Sequence, residues 1–240
     1  MALLWTLNFS LPFSTTPDFN QSALFGNISK GAGGSEGNNI GPNYLDGTMF
    51  ANDYEWWTYG GLLEYSVAYQ PPAGNSVGLY EVYPTAPLQR PNAGFVLSST
   101  PSNTTRYVTY GAGVNVPSEN LGFYFGGTKS KSGGPIYFPA AGPGDATESV
   151  NPDQLSQTLI ELEMGLLPPG SATWKNHTLP SAIPGRASGE LAWIPVSEQG
   201  ILVGVGGVTS LVYSTLNQSV SDADANKVVR CSLTASLSLY

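Results

Sequence analysis

The sequence predicts an all-β protein built from repeated units, and three observations support this prediction. Only 11% of the 240 residues are charged, whereas glycine (29) and proline (19) are abundant, a composition typical of short strands joined by turns. Hydrophobic residues make up 41% of the chain, which is enough for a sizeable core. A short run that ends in two glycines occurs three times, as EWWTYGG at 55–61, LGFYFGG at 121–127 and GILVGVGG at 200–207.

The net charge and the cysteine content exclude several functional classes. A formal net charge of -8 leaves no basic surface to neutralise phosphates, so nucleic-acid binding is not expected. Cys231 is the only cysteine, which rules out an intrachain disulfide and a cysteine-rich metal site, and we interpret it as a strand residue. No apolar run reaches the roughly 18 residues of a membrane span. The N-terminus lacks the basic start and the cleavage site of a signal peptide and is predicted to be a strand.

The N-terminal region, residues 1–40, is predicted to be part of one structural unit. Apolar runs at 3–9 and 23–28 are its strand candidates. The glycine- and asparagine-rich segment 31–42 is predicted to be a loop.

Residues 41–106 are predicted to form a complete unit of four strands. The first two strands form a hairpin around the turn residues Asn52 and Asp53, and the hairpin ends in a double glycine. The next two strands are each bounded by proline or glycine. The predicted strands are 44–51, 56–61, 77–83 and 94–98.

Residues 107–179 repeat this order with an insertion. Segment 159–164 (LIELEM) alternates apolar and acidic positions, which is typical of a half-buried strand, with a single helical turn as the alternative. Segment 128–153, rich in glycine, proline and serine, is predicted to be an insertion loop, and it lengthens the spacing between double glycines from roughly 66 to roughly 80 residues. The predicted strands are 106–116, 121–127, 159–164 and 172–178.

Residues 180–240 are predicted to form a third unit. A turn at 180–186 precedes a hairpin made of 190–196 and 201–207. Further strand candidates follow, but the pattern of the earlier units is lost in the C-terminal part. These candidates are 211–216 and 228–239.

These features resemble the kelch-repeat β-propellers of the galactose oxidase/kelch-like superfamily, in particular the large kelch proteins of filamentous fungi. The similarity lies in GFYFGG, GILVGVGG, LIELEM, ATWKN and PGR at 184–186, and in the first unit Phe95 is nearest to the place of the blade tryptophan. It implies four-stranded blades around a central axis. The residues that match the blade motif are Gly60, Gly61, Gly126, Gly127, Gly206, Gly207, Trp174 and Arg186.

The physical chemistry of these residues agrees with the resemblance. A strand that ends in two glycines can turn sharply with positive φ, and it lets neighbouring backbones approach closely. Aromatic side chains then supply apolar area between blades, with a ligand-binding platform as the alternative role. These aromatic residues are Trp56, Trp57, Tyr59, Phe123, Tyr124, Phe125, Trp174 and Trp193.

The number of units predicts an incomplete propeller. Closed propellers have about 4 to 8 blades, whereas the sequence offers about three units plus part of another. Two open blade faces would leave more apolar surface in water than the stability of a typical domain tolerates. We therefore expect a fragment of a longer protein, or a chain completed by a partner or by self-association.

The titratable residues form no complete catalytic or metal-binding pattern, so no catalytic, cofactor-binding or metal residue is predicted. His177 is the only histidine; it is interpreted as an exposed loop residue and cannot supply the copper site of galactose oxidase or a Ser-His-Asp site. Glu161 and Glu163 are predicted to occupy the solvated side of their strand. A carboxylate pair for glycoside hydrolysis stays an alternative, with Asp46, Asp53, Glu55 and Glu190 as candidates.

Six N-x-Ser/Thr sequons favour a protein of the secretory route, because N-glycans are attached there. They are Asn8, Asn20, Asn27, Asn103, Asn176 and Asn217.

We expect a non-enzymatic kelch-repeat scaffold of a secreted or cell-surface fungal protein. Its loops would bind a protein or a cell-wall glycan, and the contact candidates are 128–153 and 71–74, because they are longer than blade connection requires. No cofactor is expected. A carbohydrate-active enzyme on the same fold is the alternative function, and a β-sandwich is an alternative fold that the repeated hairpins disfavour.

Overall fold

In the computed structural model the chain is built from short β-strands. The structure describes residues 2–7, 25–30, 44–53, 55–64, 73–81, 96–99, 104–131, 133–138, 154–165, 172–196, 200–210 and 233–235. These residues contain no α-helix, and hence no helix that could cross a membrane. The prediction of an all-β protein is confirmed.

The elements follow one another as short strands with a single 3-10 turn, η1. In chain order they are β1 (Ala2–Leu7), β2 (Phe25–Lys30), β3 (Tyr44–Ala51), β4 (Glu55–Glu64), β5 (Ser76–Glu81), β6 (Val96–Ser99), β7 (Ala112–Val116), η1 (Pro117–Glu119), β8 (Leu121–Phe125), β9 (Thr128–Lys129), β10 (Tyr137–Phe138), β11 (Gln154–Leu155), β12 (Leu159–Glu163), β13 (Thr173–His177), β14 (Ala187–Ile194), β15 (Ile201–Val208) and β16 (Leu233–Ala235).

Three sheets contain most of these strands. The first sheet consists of β3, β4, β5 and β6 with β10 added, the second has the order β7-β8-β12-β13, and the third has the order β14-β15-β16. Two smaller antiparallel pairs, β1 with β2 and β9 with β11, accompany them. The three predicted hairpins are confirmed as β3–β4, β7–β8 and β14–β15. Four sequential strands are confirmed in the first two sheets, and the described part of the third has three.

The predicted insertion loop 128–153 is wrong in part, because its described residues include strands. β9 pairs with β11, and β10 pairs in parallel with the end of β4 in the first sheet. The buried Ile136 holds β10 in place, since its carbonyl accepts a hydrogen bond of 2.9 Å from the Leu63 N–H. A segment that follows the double glycine of the second unit therefore completes the sheet of the first. Residues 139–153 lie outside the described residues.

The second sheet is buried on both faces because it lies between the other two. One core cluster lies between the first and second sheets, and its members are Phe50, Trp57, Tyr59, Val77, Val108, Tyr124, Ile160, Leu162, Met164 and Trp174. The other lies between the second and third sheets, and its members are Ala112, Val116, Leu121, Phe123, Phe125, Leu159, Leu191 and Leu202, with Trp193 packed against them. The aromatic residues predicted to pack between units thus lie in these clusters, except Trp56, which is half-buried.

The three hairpins share one backbone arrangement at the double glycine. Each places a non-glycine residue with positive φ opposite the second glycine of its pair. These pairs are Asp46 with Gly61, Tyr110 with Gly127, and Ser188 with Gly207, and the non-glycine φ values are 55°, 58° and 56°. The double glycines themselves all have positive φ, a backbone conformation that glycine adopts without steric cost.

The same two backbone hydrogen bonds join successive sheets, and we call this arrangement the double-glycine joint. In one bond, the N–H of a positive-φ residue donates to the carbonyl of its counterpart in the preceding sheet: Tyr110 to Asp46 at 3.2 Å and Ser188 to Tyr110 at 2.7 Å. In the other bond, the N–H of the second glycine donates to a backbone carbonyl of the following unit. The accepting residue lies two positions before the positive-φ residue of that unit: Gly61 donates to Val108 and Gly127 donates to Arg186, both at 2.7 Å. The three units are therefore related by a repeated backbone contact as well as by a repeated sequence.

Candidate functional site

The main cluster of charged side chains in the described residues lies on β12 and β13. Glu161 is central, because its Oε1 lies 2.8 Å from Lys175 Nζ and its Oε2 lies 2.8 Å from His177 Nε2. Glu163 is the outer member, with its Oε2 at 3.6 Å from Lys175 Nζ and accepting a hydrogen bond from Thr173. The antiparallel register sets Glu161 opposite Lys175 and Leu159 opposite His177, so alternate side chains of both strands share one face.

The prediction that Glu161 lies on a solvated strand side is wrong, and so is the prediction that His177 is an exposed loop residue. The Glu161 side chain is only 1% exposed, and His177 is the last residue of β13 with its side chain 22% exposed. Glu161 is paired in register with Phe123, and Phe123 stacks on Trp193 of the third sheet at 5.8 Å between ring centres. The third sheet therefore covers Glu161, and of the two glutamates only Glu163 at the strand end reaches solvent.

The pKa values of Glu161 and Lys175 both shift so as to keep these two groups charged. Burial raises the pKa of the Glu161 carboxyl, but the hydrogen bonds from His177 and Lys175 outweigh it, and the pKa lies below its usual value. The hydrogen bond to Glu161 raises the pKa of the Lys175 ammonium. General acids and bases that work near neutral pH need the opposite shifts, which are a raised pKa for a carboxyl group or a lowered pKa for a lysine. The arrangement suits a cross-strand tie rather than proton transfer.

We expect this tie to make stability depend on pH. Because the folded pKa of Glu161 is lowered, its contribution is present above the unfolded value of about 4.3 and is lost as the pH falls through the folded value. Because the folded pKa of Lys175 is raised, its contribution is lost as the pH rises above about 10.4 and passes the folded value. Glu161→Gln should lower the free energy of unfolding at neutral pH by about 1–2 kcal/mol, measured by urea titration of tryptophan fluorescence.

The matched control for this prediction is Glu163→Gln, because the Glu163 side chain is 55% exposed and its longer ion pair is screened by water. It should change stability little at any pH. The difference between the wild type and Glu161→Gln should shrink as the pH falls below about 4.3 and should disappear once the pH is below the lowered folded pKa of Glu161. A difference that persists there would contradict the assignment of the effect to carboxylate charge.

A second polar cluster surrounds Arg106, which is 3% exposed. Its guanidinium carbon lies 4.4 Å from the ring centre of Tyr44 and 5.6 Å from that of Tyr107, so it is held by cation–π contacts. Burial raises the pKa of Tyr44 to about 12, although the charge of Arg106 acts in the opposite direction. Nε and Nη2 of Arg106 and Oη of Tyr44 are buried, and the described residues supply no hydrogen-bond partner for them. This cluster joins β3 of the first sheet to the segment that leads into β7.

Two residues that match the blade motif, Trp174 and Arg186, lie where one sheet contacts the next. Trp174 packs edge-on against Trp57 across the first core cluster, with 5.9 Å between ring centres. Arg186 is buried, accepts the joint hydrogen bond from Gly127, and donates from Nη1 to the carbonyl of Gly206 at 2.7 Å. Both residues therefore take structural positions.

The other predicted site residues are divided between the described residues and the rest of the chain. Asn176 lies in β13 and is half-buried, and Asn27 lies in β2. Glu55 is buried and accepts a hydrogen bond from Trp57, whereas Asp53 and Glu190 are exposed. No group of three or more metal-binding side chains occurs among the residues that the structure describes. The predicted residues outside them are Asn8, Asn20, Asn103, Asn217, Phe95 and Cys231.

Comparison of the chain with protein-family models finds no match, and comparison with curated proteins finds none either. The kelch resemblance therefore rests on the sequence motifs, and it stays a prediction.

Proposed function

We propose that this chain is part of a kelch-type β-propeller and acts as a non-enzymatic binding scaffold of a secreted or cell-surface protein. The observation that carries the proposal is the double-glycine joint, which recurs with the same two hydrogen bonds at both junctions. A constant contact between successive sheets is the geometry that radial blades require, because each blade meets the next in the same way.

The order of the strands across the junctions supports the same proposal. β3 lies against β7 and β7 lies against β14, so the first strands of the three hairpins are neighbours. In a propeller the first strands crowd around the axis, and the later strands of each blade spread outwards. This order agrees with that arrangement.

Small residues where the sheets meet also support blade packing. A Cβ on Gly113 would collide with the Thr48 side chain, and one on Gly122 would lie 2.6 Å or less from the Phe50 ring. The Asn115 side chain bonds to both the N–H and the carbonyl of Ala51, at 3.2 and 2.7 Å, and so links β7 to β3. The first and second sheets therefore approach closely near their first strands, as blades do near an axis.

The proposed binding surface consists of the two long loops, because both are anchored at their described ends. Gly74 accepts a hydrogen bond of 2.8 Å from the Arg106 N–H, which fixes the end of the loop that contains 71–74. Ile136 and β10 fix the start of the segment that leads into 139–153. Loops held on a rigid scaffold are the usual place for binding residues. We propose that they contact a protein or a cell-wall glycan.

The test measures co-sedimentation with insoluble fungal cell-wall material. The chain is produced with an added signal sequence in a eukaryotic host, and a mobility shift on glycosidase treatment is expected if the sequons are used. Replacing 140–148 by a glycine-serine linker should abolish co-sedimentation, whereas the same replacement at 33–39 should not. Retained binding after the first replacement would contradict the loop assignment. Release of reducing sugar from the wall would instead favour the carbohydrate-active alternative.

A further inference from the structure

We propose that this chain associates head to tail with a second copy of itself, through a third double-glycine joint between the third sheet of one copy and the first sheet of the other. The proposal goes beyond a scaffold function, because it names a partner and the surface that binds it. It rests on one exposed face of the first sheet and one of the third, and on backbone groups there that make no joint hydrogen bond with a described residue.

The third sheet exposes apolar residues where the second sheet buries them. Counted from the double glycine, Val205 of β15 is equivalent to Phe125 of β8, which faces the third sheet. Phe125 is 2% exposed, whereas Val205 is 56% exposed. On β14, Ile194 is equivalent to the buried Val116 but is 41% exposed. We call this surface the leading face.

The first sheet has a complementary exposed surface on its other side, which we call the trailing face. On β3, Phe50 packs towards the second sheet, and its neighbour Met49 is 56% exposed. Leu45 is equivalent to Thr109 of the second unit, counted from the positive-φ residue. Thr109 is fully buried in the existing joint, whereas Leu45 is 42% exposed. Exposed apolar residues on both faces mark surfaces that a partner can cover.

The glycines show that the described residues place no neighbour against the leading face at Gly206. A Cβ on Gly60 would lie 2.7 Å from the Val108 carbonyl oxygen, and one on Gly126 would overlap the Arg186 carbonyl oxygen. Both oxygens belong to the following unit. A Cβ on the equivalent Gly206 would meet nothing within 4 Å. The backbone at Gly206 is therefore shaped for a close contact that no described residue makes.

The chain itself carries both halves of the joint. The leading face offers the N–H of Gly207 and the carbonyl of Ser188. These groups are equivalent to the Gly127 N–H and the Tyr110 carbonyl, which form the joint between the second and third sheets. The trailing face offers the carbonyl of Tyr44, two residues before the positive-φ residue, and the N–H of Asp46. A second copy thus supplies the donor and the acceptor that the leading face needs. The Ser188 N–H is used at the existing junction, but no described residue outside the third sheet bonds to the Ser188 carbonyl or to the Gly207 N–H.

Such a contact uses two different surfaces, so it is heterologous and forms a ring only if the rotation closes. Two copies with two such joints form a closed ring with two-fold symmetry, in which each leading face covers the partner's trailing face. Two sets of three main sheets fall within the roughly 4 to 8 blades of closed propellers. We therefore expect a dimer rather than an open filament.

The test is sedimentation velocity of the full chain. The wild type should sediment as a dimer, and Val205→Asp and Met49→Asp should each raise the dissociation constant by about a hundredfold or more, because each replaces an apolar contact of the joint by a carboxylate, and Val205 lies opposite the carboxylate of Glu190. In a dimer of one variant, each of the two joints contains one substituted face, so both joints are weakened. A mixture of the two variants keeps one intact pair of faces and should form a heterodimer. Retained near-ultraviolet circular dichroism shows that the variants are folded.

Two further variants sharpen the test. Gly206→Ala leaves both apolar faces unchanged but should weaken the dimer, since the equivalent glycines lie against a carbonyl of the next unit. Ser181→Asp, in the exposed turn between β13 and β14, should leave it unchanged. A monomeric wild type, or a dimer insensitive to Val205→Asp, would overturn the proposal. A monomer that still binds cell-wall material would leave the scaffold function standing, and a dimer that does not bind would remove only that function.

Discussion

Gly126→Ala is expected to lower the free energy of unfolding by about 2–5 kcal/mol. Gly126 has φ of +76°, and an alanine held there costs about 1–2 kcal/mol of backbone strain. Its Cβ would also overlap the carbonyl oxygen of Arg186, which accepts the joint hydrogen bond from Gly127. Relief of that overlap requires the second and third sheets to separate, and overpacking of this kind costs about 1–3 kcal/mol. Urea unfolding followed by far-ultraviolet circular dichroism measures the change.

The matched control is Gly133→Ala, because Gly133 has a similar φ of +71° but no atom within 4 Å of the added Cβ. This control isolates the backbone strain and should cost about 1–2 kcal/mol. If the two variants lost the same stability, the close approach at the joint would contribute nothing, and the double glycine would serve backbone conformation alone.

Trp57→Ala is expected to lower the free energy of unfolding by about 5 kcal/mol. Trp57 is fully buried at the centre of the first core cluster and packs edge-on against Trp174. Truncation of a buried tryptophan to alanine costs about 3–5 kcal/mol through lost apolar burial and the cavity that remains. Its indole N–H also donates to Oε1 of the buried Glu55 at 3.0 Å, and loss of this buried hydrogen bond adds about 1–3 kcal/mol. Differential scanning calorimetry and urea unfolding measure the loss.

Two variants separate the causes of this effect. Trp57→Phe keeps a ring in the cavity but removes the N–H donor, so it should cost about 1–3 kcal/mol. Trp56→Ala changes the adjacent half-buried tryptophan, whose side chain points to the other face of β4, and should cost clearly less than Trp57→Ala. An equal cost at Trp56 and Trp57 would contradict the assignment of the core to the face that carries Trp57.

The hairpins and their double-glycine ends were predictable from the sequence. Alternating apolar positions between turn residues specify antiparallel strands, and a paired glycine marks a place where other residues are strained. The antiparallel pairing of β3 with β4 could be predicted for this reason. Which residue of the next unit lies against each glycine could not, because that depends on the packing of whole sheets.

The burial of Glu161 and the position of His177 could not be predicted from their own strand. The LIELEM pattern is equally consistent with a solvated acidic face, and only the third sheet, which covers Phe123 and its neighbours, decides the matter. One signal was present in the sequence. Lys175 and His177 alternate on β13 as Glu161 and Glu163 alternate on β12, and a lysine opposite a glutamate on adjacent strands, as Lys175 is opposite Glu161, indicates a cross-strand pair.

The short strand β10 has a consequence for the order of folding. Leu63 donates its N–H to Ile136, and Leu63 is also the register partner of Tyr137, so the first sheet is completed only by residues far along the chain. On the ribosome, β3–β6 emerge well before β10, and closing so long a loop costs entropy that must be recovered by later contacts. We therefore expect that the first unit does not complete its sheet until the residues of β10 have been synthesised, and that the first and second units unfold as one cooperative unit.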